Sequence, residues 1–448
     1  MPDRPRKRPA VAAQAARSGR SAVARGRLKS FHEVVSTGSL PPLSSHLGGH
    51  NHEAVRVRSI TSGVWALGIL SLGTSLVWIL HGGQGYDTAP VWHAVRALLE
   101  GGRVYTEEGS GDFLYPPSAL LMLLPLGAFS LDWAGRLFFF VDLVTILAAT
   151  AILLTVFGLR WRGLAGAIAL FGISLAWPVL FTLDAGNVNG PILLGLALFL
   201  LAATRDRWTT AGVWLGLTLA LKPILAPVLI VLVLYRRWKA LAMAVAVPLL
   251  LSSVVLLAAP GTRHFFDRTV PLLFRGQNQE IQDVSIALAS VAERLSIPDP
   301  VTAAVQFAVL ALTGVLVWRR WLSHDDLEPR RIVELSSITL VGTFLATSFA
   351  FPHYGIFLLP FAVSIADRSS PYGDWLTWGA LFCLASPISW QLDVLPDRIN
   401  DVLAERFTFA LLALLGSFCL VLRRQPAAEV EAGGGLAAKL PVRSFGRG

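Results

Sequence analysis

A few polar residues stand out against an apolar chain, and most of them sit beside proline or glycine. Tyr86-Asp87 follows the first long apolar run, and Leu114-Tyr115-Pro116-Pro117 comes shortly after. Further on are Asp184-Ala-Gly-Asn187-Val-Asn189, Lys222-Pro223, Arg275-Gly-Gln277-Asn278-Gln-Glu280 and Pro352-His353-Tyr354. An acid held partly desolvated at a membrane edge has a raised proton affinity, so Asp87 could take a proton from a hydroxyl. A lysine in an apolar segment faces a cavity or an anion unless it snorkels to the surface. Lys222, with His353 at a similar depth, would suit a phosphate leaving group. Prolines at 116 and 117 fit the first turn of a helix, whose free amides can face an anion.

Each of these residues also has a plainer role. Asp87 could be a solvated loop carboxylate, or a cap for the helix that starts near Pro90. A lone histidine is more often a hydrogen-bonded packing residue than a ligand. The 184–189 stretch is a turn by composition. Glu107, Glu108 and Asp112 could hold a divalent cation or form a solvated acidic loop. No zinc spacing, nucleotide loop, serine triad or dinucleotide fingerprint occurs in a fitting context, so no cofactor is expected, a divalent cation apart.

The elements that must position these residues are membrane helices. The chain has 448 residues, 54% hydrophobic and 15% charged, where soluble domains carry about 25% charged residues. Apolar runs of spanning length recur along it, which predicts an all-α polytopic membrane protein. The net charge of +9 sits in the N-terminal tail and short loops, the positive-inside pattern, so nucleic acid is not the expected partner. Cys383 and Cys419 lie inside apolar runs and imply no disulfide framework.

Residues 1–55 read as a disordered basic cytoplasmic tail, 56–424 as the membrane domain and 425–448 as a disordered tail. The first span, 60–80, leads out of the cytoplasm. An amphipathic helix over 90–100 lies along the interface, and 115–130, broken by Pro125, is short for a span and reads as interfacial or re-entrant. Later crossings are expected at 134–157, 163–183, 189–203, 212–221, 224–234, 241–259, 301–318, 332–351, 355–366, 375–390 and 402–422. This places every dibasic loop in the cytoplasm and gives about twelve spans with both termini inside. The outer face then gathers Asp87, Glu107, Glu108, Asp112, Tyr115, Asp184, Asn187, Asn189, Lys222, the 275–280 stretch, Asp283 and His353-Tyr354, which argues for a shared cavity.

Taken together, Tyr86-Asp87 after the first span, the LYPP motif, the 184–189 motif, and Leu221-Lys222-Pro223 followed by Tyr235-Arg236-Arg237-Trp238 resemble one group. It is the GT-C class of glycosyltransferases that use polyprenyl-phosphate sugars, in the actinobacterial mannosyltransferase and arabinofuranosyltransferase branch. The likeness is nearest to the α-(1→3)-arabinofuranosyltransferases and covers residues 60–422. It departs from the common Gly-Gln-x-Asn form of the middle motif, having Gly186-Asn187-Val188-Asn189.

The resemblance implies a bacterial plasma-membrane enzyme with its active site facing the periplasm. The donor would be a decaprenyl-phosphate sugar and the acceptor a cell-envelope glycan or glycolipid. Asp87 would be the general base of an inverting transfer. Lys222, His353 and Arg275 would hold the donor phosphate. Tyr86, Tyr115, Asp184, Asn187, Asn189, Gln277, Asn278 and Tyr354 would contact substrate. Arabinofuranose is the expected sugar ahead of mannose. A lipid or sugar transporter would show repeated halves, which the sequence lacks, and a non-catalytic envelope scaffold would tolerate loss of Asp87.

Overall fold

The computed structural model describes residues 47–81, 85–105, 113–275, 284–323, 328–366, 370–388, 390–391 and 396–424. The chain divides into two units at residue 60, and residues 61–448 form the larger one. Among the described residues all regular structure is helical. In order these are α1 (Leu47–His81), α2 (Thr88–Leu99), α3 (Pro117–Leu123), α4 (Leu131–Val156), α5 (Leu164–Leu175), α6 (Trp177–Ala185), α7 (Asn189–Thr204), α8 (Trp208–Leu221) and α9 (Leu229–Leu234). Then come α10 (Trp238–Ala258), α11 (Val270–Arg275), α12 (Leu288–Arg294), α13 (Asp299–Leu322), α14 (Glu328–Ala346), α15 (Leu359–Ile365), α16 (Trp375–Ala385), α17 (Asp397–Ala404) and α18 (Arg406–Arg424).

Five described helices are long and apolar enough to cross a membrane: Arg58–Val77, Leu131–Val156, Trp238–Ala258, Asp299–Leu322 and Arg406–Arg423. A sixth arises if the bent pair α5 and α6 is one span. This is a multi-pass membrane protein. Several expected crossings are shorter or interrupted in the structure. The 163–183 run bends by 58° between α5 and α6, where Pro178 enters the new helix in its first turn and can continue no hydrogen-bond ladder from before it. The 332–351 run leaves the helix at Ala346, and 355–366 opens as a 3₁₀ turn from Pro352 before α15. The 115–130 run is α3 followed by a 3₁₀ turn, Leu124–Ala128. The helix expected to begin at 60 begins at Leu47, because a formed apolar helix extends cheaply into neighbours such as Glu53, Ala54 and Val55.

The core is built around α7, which packs against α4 and α8, while α8 packs against α10. Both α7 and α8 are apolar all round, as helices enclosed by others must be. Small residues let their backbones approach. A Cβ on Gly212 would lie 2.2 Å from the carbonyl oxygen of Ala240, and one on Gly195 would lie 2.2 Å from Thr218 Cγ2. Beyond this centre, α13 and α14 are clamped by a wholly buried pair in which Arg320 Nε donates to Glu334 Oε2. Arg294 of α12 holds Glu405 through two bonds of 2.7 Å, an arrangement with fixed geometry as well as charge.

Gly212 therefore cannot accept a side chain without moving a backbone. Gly212→Ala is expected to lower the thermal midpoint in detergent by an amount equivalent to about 1–3 kcal/mol. Gly314→Ala, at a position in α13 with open space around it, is expected to leave the midpoint unchanged or raise it.

Candidate active site

The site forms where two turns are spliced. The chain leaving α1 enters α2 through Gly85-Tyr86-Asp87-Thr88, and α6 passes to α7 through Ala185-Gly186-Asn187-Val188. Gly85 N donates to Asp184 O and Asp87 N to Ala185 O, both at 3.0 Å. Thr88 Oγ1 donates to Gly186 O at 3.1 Å. Gly85 and Gly186 both have left-handed backbones, φ +67° and +62°, and a Cβ on either would strike Thr88 Oγ1. Glycine meets both demands without strain.

This splice sets the acid. Asp87 stands at the N-cap position of α2 yet makes no side-chain cap bond. Its Oδ2 instead accepts from Asn187 Nδ2 at 2.5 Å. Burial pushes the Asp87 carboxyl up from its ordinary range, while the Asn187 hydrogen bond and then the Lys222 charge pull it back down. The net result is a carboxyl with raised proton affinity. Tyr86, half-exposed, lies beside it, and partial desolvation and then the charges of Asp87 and Asp184 raise its phenol.

Lys222 ends α8 in an extended conformation, followed by the 3₁₀ turn Pro223–Val228. The proline removes a backbone donor and breaks the apolar stretch there. The ammonium lies 5.4 Å from the centre of the Tyr115 ring and 4.9 Å from that of Tyr354, within cation–π range of both. The LYPP segment is held to this turn. Tyr105 donates its hydroxyl to Tyr115 O at 2.9 Å, and Ser118 donates to Ala220 O at 2.6 Å. His353 follows in the next broken segment, buried and stacked with Phe181 and Phe351.

Asp87, Asn187, Lys222, Tyr115, Tyr354, His353, Tyr86 and Asp184 thus gather around two spliced turns and two proline breaks. Asn189 opens α7, its Nδ2 3.5 Å from Thr182 Oγ1. Arg275 ends α11, with only its backbone described. Gln277, Asn278, Glu107, Glu108, Asp112 and Asp283 lie outside the described residues. Ser348 Oγ donates to Leu273 O at 3.1 Å, so α11 is tied to the chain five residues before His353.

Sequence reasoning passed over Asp142, an acid in the middle of α4 with no exposure. Its Oδ1 accepts from Gly190 N at 3.1 Å, satisfying an amide of the first turn of α7 that the helix itself leaves free. Oδ2 has no partner. A Cβ on Gly190 would lie 2.5 Å from Oδ1. The available signal was a carboxylate inside Phe139-Phe140-Val141-Asp142-Leu143, since acids in apolar spans are costly and rarely idle. Phe181 and Phe351 gave no such signal, being ordinary apolar residues in apolar runs.

Residues 113–348 match glycosyltransferase family 87. The chain belongs to that family. It is a glycosyltransferase, and the matched stretch takes in Tyr115, Asp142, the 184–190 turn and Lys222, while Asp87 and His353 lie outside it. The chain is 26% identical over 366 residues to an alpha-(1->3)-arabinofuranosyltransferase of Corynebacterium glutamicum, covering 80% of this chain and 86% of that one. It is 27% identical over 341 residues to a Mycobacterium tuberculosis protein of the same name, covering 74% and 78%. A third, from Mycolicibacterium smegmatis, is 27% identical over 373 residues, covering 81% and 85%. No solved structure gives a significant match.

Two outcomes follow for this family 87 glycosyltransferase. Asn187→Ala removes a bond that favours the carboxylate, so the Asp87 carboxyl should titrate at higher pH, read from its infrared carbonyl band against an Asp87→Asn control. Asp142→Leu strands the buried Gly190 amide and should cost about 1–3 kcal/mol of stability in a detergent melt. Asp142→Asn keeps an acceptor and should cost less.

Proposed function

We propose that this glycosyltransferase moves a pentose or hexose, arabinofuranose ahead of mannose, from a decaprenyl-phosphate donor to a cell-envelope glycan or glycolipid. The observation that carries the reading is the pairing of an acid of raised proton affinity, fixed by Asn187, with an ammonium close enough for each to feel the other's charge. Asp87 accepts the proton of the acceptor hydroxyl as its oxygen attacks the anomeric carbon. The bond from that carbon to the phosphate oxygen breaks, and its electron pair leaves with the lipid phosphate. Lys222 receives that charge, with Arg275 expected to join it. A single displacement inverts the anomeric centre, so a β-linked furanosyl phosphate gives an α linkage and one carboxylate suffices. The names of the relatives favour arabinofuranose over mannose.

Helix lengths support a site beneath the outer surface. The 16 residues of α7 and the 14 of α8 rise about 24 and 21 Å, short of a hydrocarbon layer of about 30 Å. Both run from the arginine-rich turn at 205–207 to the site turns, so the reaction centre lies where a lipid phosphate and a wet acceptor can both arrive. The twelve-span arrangement, cytoplasmic termini and periplasmic active site in the bacterial plasma membrane fit the dibasic loops at 160–162, 236–239, 319–320, 330–331 and 423–424. On the same grounds, 1–55 and 425–448 are cytoplasmic tails around the membrane domain of 56–424.

Membranes given radiolabelled decaprenyl-phosphoryl arabinose or mannose and a synthetic oligosaccharide acceptor test this. Arabinose transfer is expected with the native chain and a loss of at least about 100-fold with Asp87→Asn. The rate should rise with pH through the titration of the Asp87 carboxyl, because only the ionised form accepts the proton. Equal transfer by both proteins would remove Asp87 as the base. Transfer from mannose alone would move the reading to a mannosyltransferase, and transfer from neither would point to a glycosyltransferase that uses another donor.

A further inference from the structure

His353 is only 3% exposed, and neither Nδ1 nor Nε2 has a hydrogen-bond partner. The ring is fixed by its faces. Phe181 stacks on it with centroids 5.1 Å apart and planes 16° apart, Phe351 with 5.2 Å and 10°, and Tyr354 meets it edge-on at 4.8 Å. With aromatic rings on the faces, polar chemistry is left to the imidazole edge. A buried polar atom without a partner is costly, and here two occur on one immobilised ring.

The surroundings tie the ring to the site. Phe181 also packs against Tyr86, with centroids 6.1 Å apart, and Tyr86 precedes Asp87. Tyr354 lies under the Lys222 ammonium at 4.9 Å. The imidazole is therefore linked through ring contacts both to the turn that carries the acid and to the side chain that carries the positive charge. A second cation there would face that ammonium from between apolar rings. A neutral imidazole instead offers one N–H donor and one nitrogen acceptor in the plane of the ring. A hydroxyl, which both donates and accepts, is its natural complement, whereas a phosphate oxygen only accepts.

We propose that the edge of His353 is a subsite for one hydroxyl of the transferred sugar, so that a neutral ring reads the sugar and Lys222 serves the phosphate. This rests on the reading that the sugar passes between Asp87 and Lys222. It reassigns His353 from the phosphate contact that the sequence suggests. The aromatic stack is what makes the contact selective: it holds the two nitrogens at one fixed orientation, so a sugar with its hydroxyl elsewhere would leave them unpaired.

The test compares the native chain, His353→Phe, His353→Asn and Lys222→Met, using decaprenyl-phosphoryl arabinose and its singly deoxygenated analogues as donors. Unsugared decaprenyl phosphate serves as inhibitor. His353→Phe keeps an aromatic ring in the stack and is expected to lower kcat/KM for the intact donor by about 10- to 100-fold. One deoxy donor should lower the native chain by a similar factor and leave His353→Phe with no further loss. His353→Asn, which restores a donor and an acceptor, should recover part of the activity with the intact donor. Inhibition by decaprenyl phosphate should be the same for the native chain and His353→Phe, and weaker for Lys222→Met.

If His353→Phe weakens that inhibition as much as it weakens transfer, the histidine contacts phosphate and the proposal fails. It fails too if every deoxy donor separates the native chain from His353→Phe by the same factor. A detergent melt of each variant shows whether loss reflects folding. If His353→Phe does not fold, the deoxy comparison is carried by His353→Asn, and equal losses for all donors there overturn the proposal. A native chain that transfers from no lipid-phosphate sugar overturns the functional reading itself, a different outcome from an active chain indifferent to every deoxygenation.

Discussion

The site depends on one hydrogen bond and the splice that permits it. Asn187 donates to Asp87 across 100 residues of sequence, and it can do so because backbone bonds from Gly85 and Asp87 and the Thr88 hydroxyl fasten the two turns together. Without that fastening Asp87 would be a carboxylate at a helix start, free to cap α2 or to be solvated. With it, the carboxylate is turned away from its own helix and becomes a group of defined position and raised proton affinity. The two left-handed glycines are the local requirement for this, since any Cβ would meet Thr88.

The rest of the fold supplies a second fixed point. Lys222 is placed by a helix that ends because proline follows it, and the helix is anchored by close backbone contact with α10 and by Ser118 on its final turn. Asp142 fixes the start of α7 from the neighbouring helix. Each of these holds a break in an apolar segment. In a membrane, irregular backbone is tolerated where it is enclosed by protein or lines a cavity, so a group of such breaks marks the place where the bilayer rule has been relaxed for a purpose. Aromatic rings fill the space between the breaks, from Tyr86 through Phe181 to His353 and on to Tyr354.

The charge distribution serves a different end. Arginines in the loops and the buried Arg320–Glu334 pair are not among the residues that gather at the site turns. They orient and clamp the helices. Removing one partner of such a buried pair is more damaging than the pair is stabilising, so this clamp acts mainly to fix one arrangement of α13 against α14.

Composition and apolar run length determined that this is a helical multi-pass membrane protein, because the bilayer admits few other ways to satisfy a backbone. Prolines at 116, 178, 223 and 352 determined where helices start or break, since the residue lacks an amide proton wherever it stands. The motif order around Asp87, Asn187 and Lys222 was enough to suggest their gathering. Only the tertiary structure decided that Asp87 binds Asn187 and does not cap its own helix, because both options use the same residue and differ in what arrives from a hundred residues away. The same holds for Asp142, whose partner is an amide of another helix, and for His353, one face of which is covered by Phe181 from a distant segment. Local sequence sets what a side chain can do; contacts between distant segments select which of those things it does.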